Sequence, residues 1–383
     1  MLERIRAAKS ASNARRTERA ARAASAAPRA RSARGAFESR PLVPQLFAQL
    51  AAGKFRSGAV LAQQLGVSRN AIWKAVRALR ELGVAIHAVP HRGYRFAVPC
   101  EPLEPVAIQA ALSPQVRRRI RRLEAVWSAE STNAALLARK EIPPELADVL
   151  VAEYQTAGRG RLGRRWLAPP GGSICLSIGW SFPEVPPDLA ALGLAVGVCA
   201  LRAVRAHLTH EGLAETAPSR ESTQPGLALK WPNDLILDDR KLGGILIELR
   251  SESAGPTYVV VGIGINLALG AKFLQKVADT GTHATDLASM GAEPQRRNAL
   301  TASLTGEIIE GLARFRHEGL RPFLEEWRAA DALCGRAVTV RTAETAWRGI
   351  ARGIDSSGAL LVETAQGTHK VLSGDVSVRA AGG

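Results

Sequence analysis

Cysteine is scarce in this chain, whose 383 residues include only four. These are Cys100, Cys175, Cys199 and Cys334, which lie far apart and form no C-x-x-C pair. Paired or clustered cysteines are typical of disulfide frameworks and zinc sites. The spacing therefore argues against both, and it favours a reducing compartment.

Long hydrophobic runs are missing as well. The most apolar helix candidate, Leu189 to Leu201, is interrupted by Arg202 and falls short of the roughly 18–20 residues that span a bilayer. No secretory signal peptide is visible at the N-terminus. We therefore expect a cytoplasmic protein that makes no membrane contact.

Several catalytic signatures are absent too. The sequence has no G-x-S-x-G, no H-E-x-x-H and no credible cysteine–histidine pair. The segment "GRGRLG", residues 158–163, lacks the G-K-[ST] of a P-loop. The proline-containing stretch that follows it is not the helix that a dinucleotide-binding turn requires. The sequence therefore gives no support to a covalent nucleophile or to either of those nucleotide-binding motifs.

Acidic residues are the minority charge, since 35 Asp and Glu stand against 51 Lys and Arg, a net charge of +16. Residues 1–40 hold half of this excess, with eleven basic and three acidic residues, or +8. Such an excess predicts an anionic partner, usually nucleic acid. Residues 1–40 are rich in Ala, Arg and Ser, so we predict a disordered basic tail. A transit peptide, a tail that adds non-specific DNA affinity and a mis-assigned start are the alternatives.

Residues 41–98 predict a winged helix-turn-helix domain. Two helical patterns flank Gly66-Val67-Ser68, and the second begins after the N-cap Ser68 and ends at Gly83. The strand-like "VAIHAV", a turn and "YRF" follow as a hairpin. The second helix has an apolar stripe and a face of donors that suits a major groove. We predict DNA contacts for Ser68, Arg69, Asn70, Trp73, Lys74, Arg77 and Arg92; a domain used only for protein contacts is the alternative.

The rest of the chain predicts two further domains. Apolar runs at 148–154, 173–180, 235–239, 243–249 and 257–267 predict strands, and periodic patterns near 187–208, 297–317 and 320–330 predict helices. This combination over residues 99–332 suits a sheet covered by helices on at least one face, with 209–226 as a surface loop. Residues 333–383 predict a small barrel or sandwich of short strands.

Four polar segments of the central domain are candidates for chemistry. Ser131-Thr132-Asn133 offers small hydrogen-bonding side chains, although a helix N-cap is the better explanation of this segment taken alone. "KWPNDL", residues 230–235, places Lys230 and Asn233 where a strand gives way to a loop. "GIGIN", residues 262–266, puts glycines in a strand, where they are unfavourable unless another group approaches closely.

The fourth segment, "QTAGRGRLGRRW", residues 155–166, packs four arginines and three glycines into twelve positions. Arginine binds phosphates and carboxylates, and glycine lets a backbone approach a ligand. The segment is either a nucleic-acid-binding stretch or a loop that closes over a small anion.

Six segments together resemble the biotin protein ligases, and with the winged helix ahead of them the chain is similar to the bacterial bifunctional biotin ligase and biotin operon repressor. They are "STN", "EYQTAGRGRLGRRW", "KWPNDL", "KLGGILIE", "GIGIN" and "SGDVSVR", in the family's order over about residues 45–380. The Arg/Gly loop and "KWPND" are the most specific. Leu162 departs from the family, in which several relatives have a basic residue there.

The resemblance implies an α+β multidomain fold. A winged helix-turn-helix would occupy residues 41–98, and residues 99–332 would form an α/β catalytic domain like that of class II aminoacyl-tRNA synthetases. Residues 333–383 would form an SH3-like β-barrel. The implied reaction joins the biotin carboxylate to the α-phosphate of ATP, with Mg²⁺, and then transfers biotin from biotinyl-5′-AMP to a lysine of a biotin carboxyl carrier protein or domain.

The resemblance also implies the site residues. Lys230 and Arg161 would be catalytic, with Lys230 bridging the biotin carboxylate and the α-phosphate. The biotin-binding residues would be Ser131, Thr132, Asn133, Gln155, Arg159, Gly160, Arg161 and Lys230. The nucleotide-binding residues would be Trp166, Asn233, Lys241 and Asn266. No metal ligand is assigned, and Arg164 and Arg165 have no assigned role.

The implied partners are the carrier protein, operator DNA and a second copy of the chain that pairs once biotinyl-AMP is bound. We expect the loop at residues 155–166 to be mobile when empty and to close over biotinyl-AMP, because ordering glycines is costly. The alternatives are a ligase with a silent helix-turn-helix and a winged-helix regulator that only senses a metabolite.

Overall fold

A computed structural model of the protein describes residues 42–139, 142–213, 226–251, 256–341, 346–372 and 375–378. The predicted tail, residues 1–40, and most of the predicted loop at 209–226 lie outside these ranges.

The first described segment is a helix-turn-helix followed by a hairpin. Its elements are α1 (Leu42–Leu50), α2 (Gly58–Gln64), α3 (Arg69–Glu81), β1 (Ile86–Val89) and β2 (Gly93–Phe96). Ser68 caps α3 by accepting the N–H of Ala71, and Ile72 and Leu79 are buried on its inner face. Gly83 follows the helix with a φ of +98°, which suits glycine. The sequence prediction of a winged helix-turn-helix is confirmed.

The central segment is built around one large sheet. Its helices are α4 (Pro105–Ala111), α5 (Pro114–Arg119), α6 (Thr132–Leu137), α7 (Leu192–His210), α8 (Ala271–Ala278), α9 (Arg297–Glu318) and α10 (Leu324–Ala329). Its strands are β3 (Ile120–Ala129), β4 (Ala147–Gln155), β5 (Ser173–Phe182), β6 (Leu227–Lys230), β7 (Asp234–Leu237), β8 (Arg240–Ser251) and β9 (Thr257–Asn266).

The strand order is β3-β4-β5-β9-β8-β7-β6, in which β3 and β4 are parallel and all other neighbours are antiparallel. Helices α7 and α9 pack on one face and bury the main core, whereas the short helix α6 packs on the opposite face. Because helices cover both faces of the sheet, water is excluded from β5 and β9, and all ten residues of each strand are buried. This explains why these strands read as continuous apolar runs.

Among the residues that the structure describes, one helical stretch, Leu189–His210, is long and apolar enough to cross a membrane by length and composition. The expectation that the apolar stretch is interrupted at Arg202, too short to span a bilayer, is wrong, because the stretch continues through that residue to His210. The helical pattern predicted near 187–208 is confirmed. Arg202 donates to Glu326 of α10 at the helix surface, and 67% of the apolar window is buried inside the protein. Its apolar composition therefore serves the core between the sheet and α9.

The last segment consists of β10 (Ala337–Arg341), β11 (Ala346–Ile354), β12 (Leu360–Thr364), β13 (Gly367–Val371) and β14 (Asp375–Val378). These strands form one antiparallel sheet in the order β13-β12-β11-β10-β14. The described part of this segment has strands and no helix, as its sequence predicted.

Candidate active site and DNA-binding face

The candidate site lies on the α6 side of the large sheet, where small residues form its floor. In register across four strands, Ala152 of β4 lies beside Cys175 of β5, which lies beside Gly264 of β9 and then Gly244 of β8. Burial raises the pKa of the Cys175 thiol to about 11, so this thiol stays protonated and unreactive. Because the floor carries no bulky side chain, polar groups can lie directly against the strands.

The glycines of "GIGIN" are occupied in this way. A Cβ atom at Gly262 would lie 2.2 Å from Asn133 Oδ1, and one at Gly264 would lie 2.4 Å from Cε2 of the Trp166 indole. The close approach that the sequence predicted at these glycines is confirmed. Asn133 and Trp166, which are thirty-three positions apart in the sequence, therefore both pack against strand β9.

A hydrogen-bonded cluster joins α6 to the end of β4 and to the middle of β5. Ser131 caps α6, as the alternative for this segment predicted. The N–H of Thr132 donates to Gln155 Oε1 at 2.8 Å, so the amide of Gln155 is held against the helix start. Ser177 Oγ lies 2.7 Å from Thr132 Oγ1 and 2.6 Å from Asn133 Oδ1. The structure thus brings the predicted biotin-binding residues of both segments together.

The arginine-rich loop folds back on itself beside this cluster. The N–H of Gly160 donates to the carbonyl of Arg164 at 2.7 Å, and that of Trp166 donates to Gly158 at 2.9 Å. A cavity of about 650 Å³ is lined by residues 157–165, Leu246 and Glu248. All four arginines of the loop line it, which places Arg164 and Arg165 beside Arg159 and Arg161. This ordered, cationic cavity favours the small-anion interpretation over a nucleic-acid-binding stretch.

Lys230 lies at the end of β6, opposite Asp234 of β7, with Trp231-Pro232 as a cis peptide between them. Burial lowers the pKa of its amine, and the positive charges of Lys241 and Arg164 lower it further, whereas Asp234 raises it. Within the described residues, the amine has no hydrogen-bond or ion-pair partner, because Asp234 is paired with Lys241 at 2.7 Å. A half-buried, unpartnered cation of this kind favours binding of an anion.

Arg161 is the second predicted catalytic residue. Burial lowers the pKa of its guanidinium, and its NH1 lies 3.5 Å from Asn233 Oδ1. Asn233 is fixed by donating to the Ile245 carbonyl at 2.7 Å. The structure therefore places Arg161 against the same turn that carries Lys230.

Asn266 is placed differently from the other predicted nucleotide-binding residues. Its Nδ2 donates to the Thr285 carbonyl at 3.0 Å, and its Oδ1 accepts from Ser173 at 3.2 Å. Only 3% of the residue is exposed. Its amide therefore holds the end of β9 in place, and its contact with a nucleotide stays a prediction.

Two polar residues of the site were not predicted from the sequence. Ser177 lies in the middle of the buried strand β5, and nothing in an apolar run marks one serine as special. Glu248 ends the "KLGGILIE" segment that contributes to the resemblance, but the segment alone gives it no role. Its contacts with Asn133 and Arg159 come from residues about 90 or more positions away, which local patterns do not reveal.

The predicted DNA-binding residues form an exposed face on α3 and the hairpin. Ser68, Arg69, Asn70, Trp73, Lys74, Arg77 and Arg92 are all exposed. Arg77 pairs with Glu81 one turn later at 2.9 Å, and Arg92 stacks on Phe55 with its guanidinium carbon 4.3 Å from the ring centre. Their contacts with DNA stay predictions.

Comparison with known proteins identifies the family. Residues 44–95 match an HTH domain, 127–266 the Biotin/lipoate A/B protein ligase family, and 333–379 the Biotin protein ligase C terminal domain. The bifunctional ligase/repressor BirA of Escherichia coli is 35% identical over 338 residues, covering 88% of this chain and 97% of that protein. The chain belongs to the biotin protein ligase family.

Other family members agree with this assignment. The biotin–[acetyl-CoA-carboxylase] ligase of Mycobacterium tuberculosis is 35% identical over 67% of this chain and 88% of its own length. The structure of a biotin protein ligase from Aquifex aeolicus, in complex with biotin and ATP, has a TM-score of 0.52 at 27% identity. That match covers 69% of this chain and 100% of the other.

Proposed function

We propose that this protein is a biotin protein ligase that also represses transcription. It activates biotin with ATP to biotinyl-5′-AMP and transfers biotin to a lysine of a biotin carboxyl carrier protein or domain. The observation that carries the proposal is the Lys230 amine, which has no partner among the described residues, on the turn that Arg161 contacts through Asn233. The arginine-lined cavity supports it. Two anions must meet in this reaction, and fixed cations reduce their repulsion.

The resemblance to the family suggests the role of each residue, and the positions described above support this assignment. Lys230 bridges the biotin carboxylate and the α-phosphate, and Arg161 stabilises the charge on the transferring group. Ser131, Thr132, Asn133 and Gln155 bind the biotin head, while Arg159 and Gly160 lie against its carboxylate and the phosphate. Trp166, Asn233, Lys241 and Asn266 contact the nucleotide. Holding both reactants in line supplies much of the rate, so no covalent nucleophile is needed.

Mg²⁺ enters this proposal on the ATP phosphates. The described residues contain no group of three or more His, Cys, Asp or Glu side chains that could hold a metal ion on their own. Magnesium usually takes only one or two protein carboxylates together with phosphates and waters. Asp234, which faces Lys230 across β6 and β7, is one carboxylate that the site offers, and an ion held there would neutralise phosphate charge.

The proposal extends to regulation and location. Residues 41–98 bind operator DNA, residues 99–332 carry the ligase site, and residues 333–383 complete the fold. A second copy of the chain pairs with the first when biotinyl-AMP is bound, and the protein works in the cytoplasm. Ligand-linked ordering of loops such as residues 155–166 provides a physical basis for this coupling.

Transfer to a carrier tests the ligase function. The protein, biotin, MgATP and a purified biotin carrier domain should give a carrier heavier by one biotinyl group, and omission of ATP should prevent this. A carrier of unchanged mass under conditions where an authentic ligase labels it would contradict the function.

A DNA mobility-shift assay tests the repressor function. A shift of DNA from upstream of biotin synthesis genes that depends on biotin and ATP distinguishes a repressor from a ligase with a silent helix-turn-helix.

A further inference from the structure

We propose that Glu248 is a positioning residue that fastens the arginine-rich loop to the sheet. Its two carboxylate oxygens hold two different site residues: Oε1 lies 3.0 Å from Arg159 NH1, and Oε2 accepts from Asn133 Nδ2 at 2.8 Å. The kinetic part of this inference rests on the proposed function, but the structural part does not.

The surroundings of Glu248 favour such a role. It lies on β8, and 22% of its side chain is exposed, against 42% for Arg159. Asn133, its other partner, is only 4% exposed and also donates to the Leu246 carbonyl of the same strand at 3.2 Å. Glu248 therefore has one partner that is fixed in the protein and one that belongs to the loop.

The other side-chain tethers of Arg159 and Arg161 are longer. Arg159 Nε lies 3.5 Å from Ser131 Oγ, and Arg161 NH1 lies 3.5 Å from Asn233 Oδ1. Both distances are at the limit for a hydrogen bond, whereas the pair with Glu248 is charge-assisted and of ordinary length. Glu248 is thus the firmest of these three connections.

The negative charge of Glu248 is a second reason to assign it this positioning role. The cavity is lined by four arginines and one acid, Glu248. Cations of like sign on a short loop repel one another, and a half-buried carboxylate between the loop and the sheet offsets that repulsion. Glu248 therefore holds the loop near the sheet before any substrate anion reaches the arginines.

Limited trypsin digestion of the whole protein without ligands tests this role. The Glu248→Gln variant keeps the volume and an oxygen for Asn133 but removes the charge that holds Arg159. We expect cleavage after Arg161, measured by mass spectrometry of the peptide that begins at Leu162, to be about fivefold faster. Glu363→Gln removes an exposed ion pair with Arg352 in the last sheet. Trypsin should cleave this control variant after Arg161 at the wild-type rate. Wild-type cleavage of Glu248→Gln would overturn the proposal.

A double-mutant cycle shows whether Glu248 acts through Arg159. Cleavage after Arg161 is measured in Arg159→Ala and in Arg159→Ala combined with Glu248→Gln, since all these variants keep that bond. We expect the double variant to match Arg159→Ala within twofold. A further fivefold acceleration by Glu248→Gln in the Arg159→Ala background would contradict the claim.

Steady-state kinetics separate a positioning role from general loosening of the fold, because only the former is expected to change the KM for biotin while leaving kcat nearly unchanged. We expect Glu248→Gln to raise the KM for biotin about fivefold, with kcat within about twofold of wild type, because the loop must be ordered at each binding event. An unchanged KM would overturn the positioning role. If the wild-type protein itself does not turn over biotin, the proposed function fails, and the digestion result alone decides the role of Glu248.

Discussion

At the scale of single residues, Lys230 shows how a site is prepared at the expense of stability. The residue is half-buried, burial lowers the pKa of its amine, and the positive charges of Lys241 and Arg164 lower that pKa further. In the described structure no acid pairs with it, since Asp234 pairs with Lys241. An unfavourably placed charge of this kind is common in sites where the ligand supplies the opposite charge.

Replacing Lys230 by methionine should therefore stabilise the free protein and abolish adenylation. We expect the free energy of unfolding at neutral pH to rise by about 1 kcal/mol, because the variant avoids burying the charge.

The same lysine predicts a pH dependence. The free energy of unfolding of the wild type should rise as the pH increases from the lowered pKa of Lys230 toward 10.5, since the unfolded chain then binds more protons than the folded one. Denaturant titrations at several pH values measure both effects; a less stable variant would contradict this account.

Gly264 provides a steric test at the same scale. An alanine there would bring Cβ within 2.4 Å of the Trp166 indole, so the ring must move away from the floor. We expect Gly264→Ala to cost about 1–3 kcal/mol of stability and to weaken nucleotide binding. Gly197→Ala in α7, where the nearest atom is 3.5 Å away, should be neutral or stabilising. Equal melting temperatures for the two variants would rule out the close packing at Gly264.

At the scale of elements, local patterns predicted what depends on neighbours in sequence. The cap Ser68, the stop Gly83 and the apolar stripe between them define α3, and each acts within one or two turns of helix. The pairing of β5 with β9 and the parallel pairing of β3 with β4 join residues far apart in the chain. Apolar runs that are buried on both faces look alike in any order, so the strand order could not be predicted.

The same distinction applies to the site. The sequence marked Lys230, Arg161 and Gln155 because their residue types are unusual in their surroundings or match the family. Glu248 contacts the loop only after β8 has been placed in the sheet. A role that depends on tertiary placement leaves no periodic or compositional signal in its own segment.

Helix α3 carries a prediction of its own. The Lys74→Ala, Arg77→Ala double variant should weaken DNA binding and reduce the slope of log affinity against log salt by about two, because two phosphate contacts are lost. Biotinylation of the carrier should remain at the wild-type rate. Arg314→Ala is a matched control, since Arg314 pairs with Glu318 on α9 just as Arg77 pairs with Glu81 on α3. An unchanged salt slope in the double variant would place the DNA-binding face elsewhere.

At the scale of the whole molecule, a buried ion pair between α9 and β4 fixes the segment that follows the helix-turn-helix hairpin to the ligase sheet. Arg297 at the start of α9 donates to Glu153 of β4 at 2.8 Å and to the carbonyl of Glu101 at 2.7 Å. Glu153 also accepts the N–H of Leu103 at 2.7 Å. The connecting segment after the hairpin is thus fixed to β4, the strand that ends at Gln155.

Removing one partner of this pair should be costly. Arg297→Met would leave the carboxylate of Glu153 buried without its cation, and we expect a loss of about 3–5 kcal/mol. The combination with Glu153→Leu should recover part of that loss, because no unpaired charge remains. Thermal unfolding of the wild type and of the two variants measures the effect. Equal destabilisation by the single and double variants would show that the charge pair is not what holds the segment.

The most direct test of the central claim is biotin-dependent release of pyrophosphate from MgATP. We predict release by the wild-type protein only when biotin is present, and loss of at least about a hundredfold in Lys230→Ala, because its cation is needed where the two anions meet. Lys272→Ala, which changes an exposed lysine of α8, should retain the wild-type rate. Release by Lys230→Ala at the wild-type rate would contradict the role assigned to this residue, and no biotin-dependent release by the wild type would contradict the function itself.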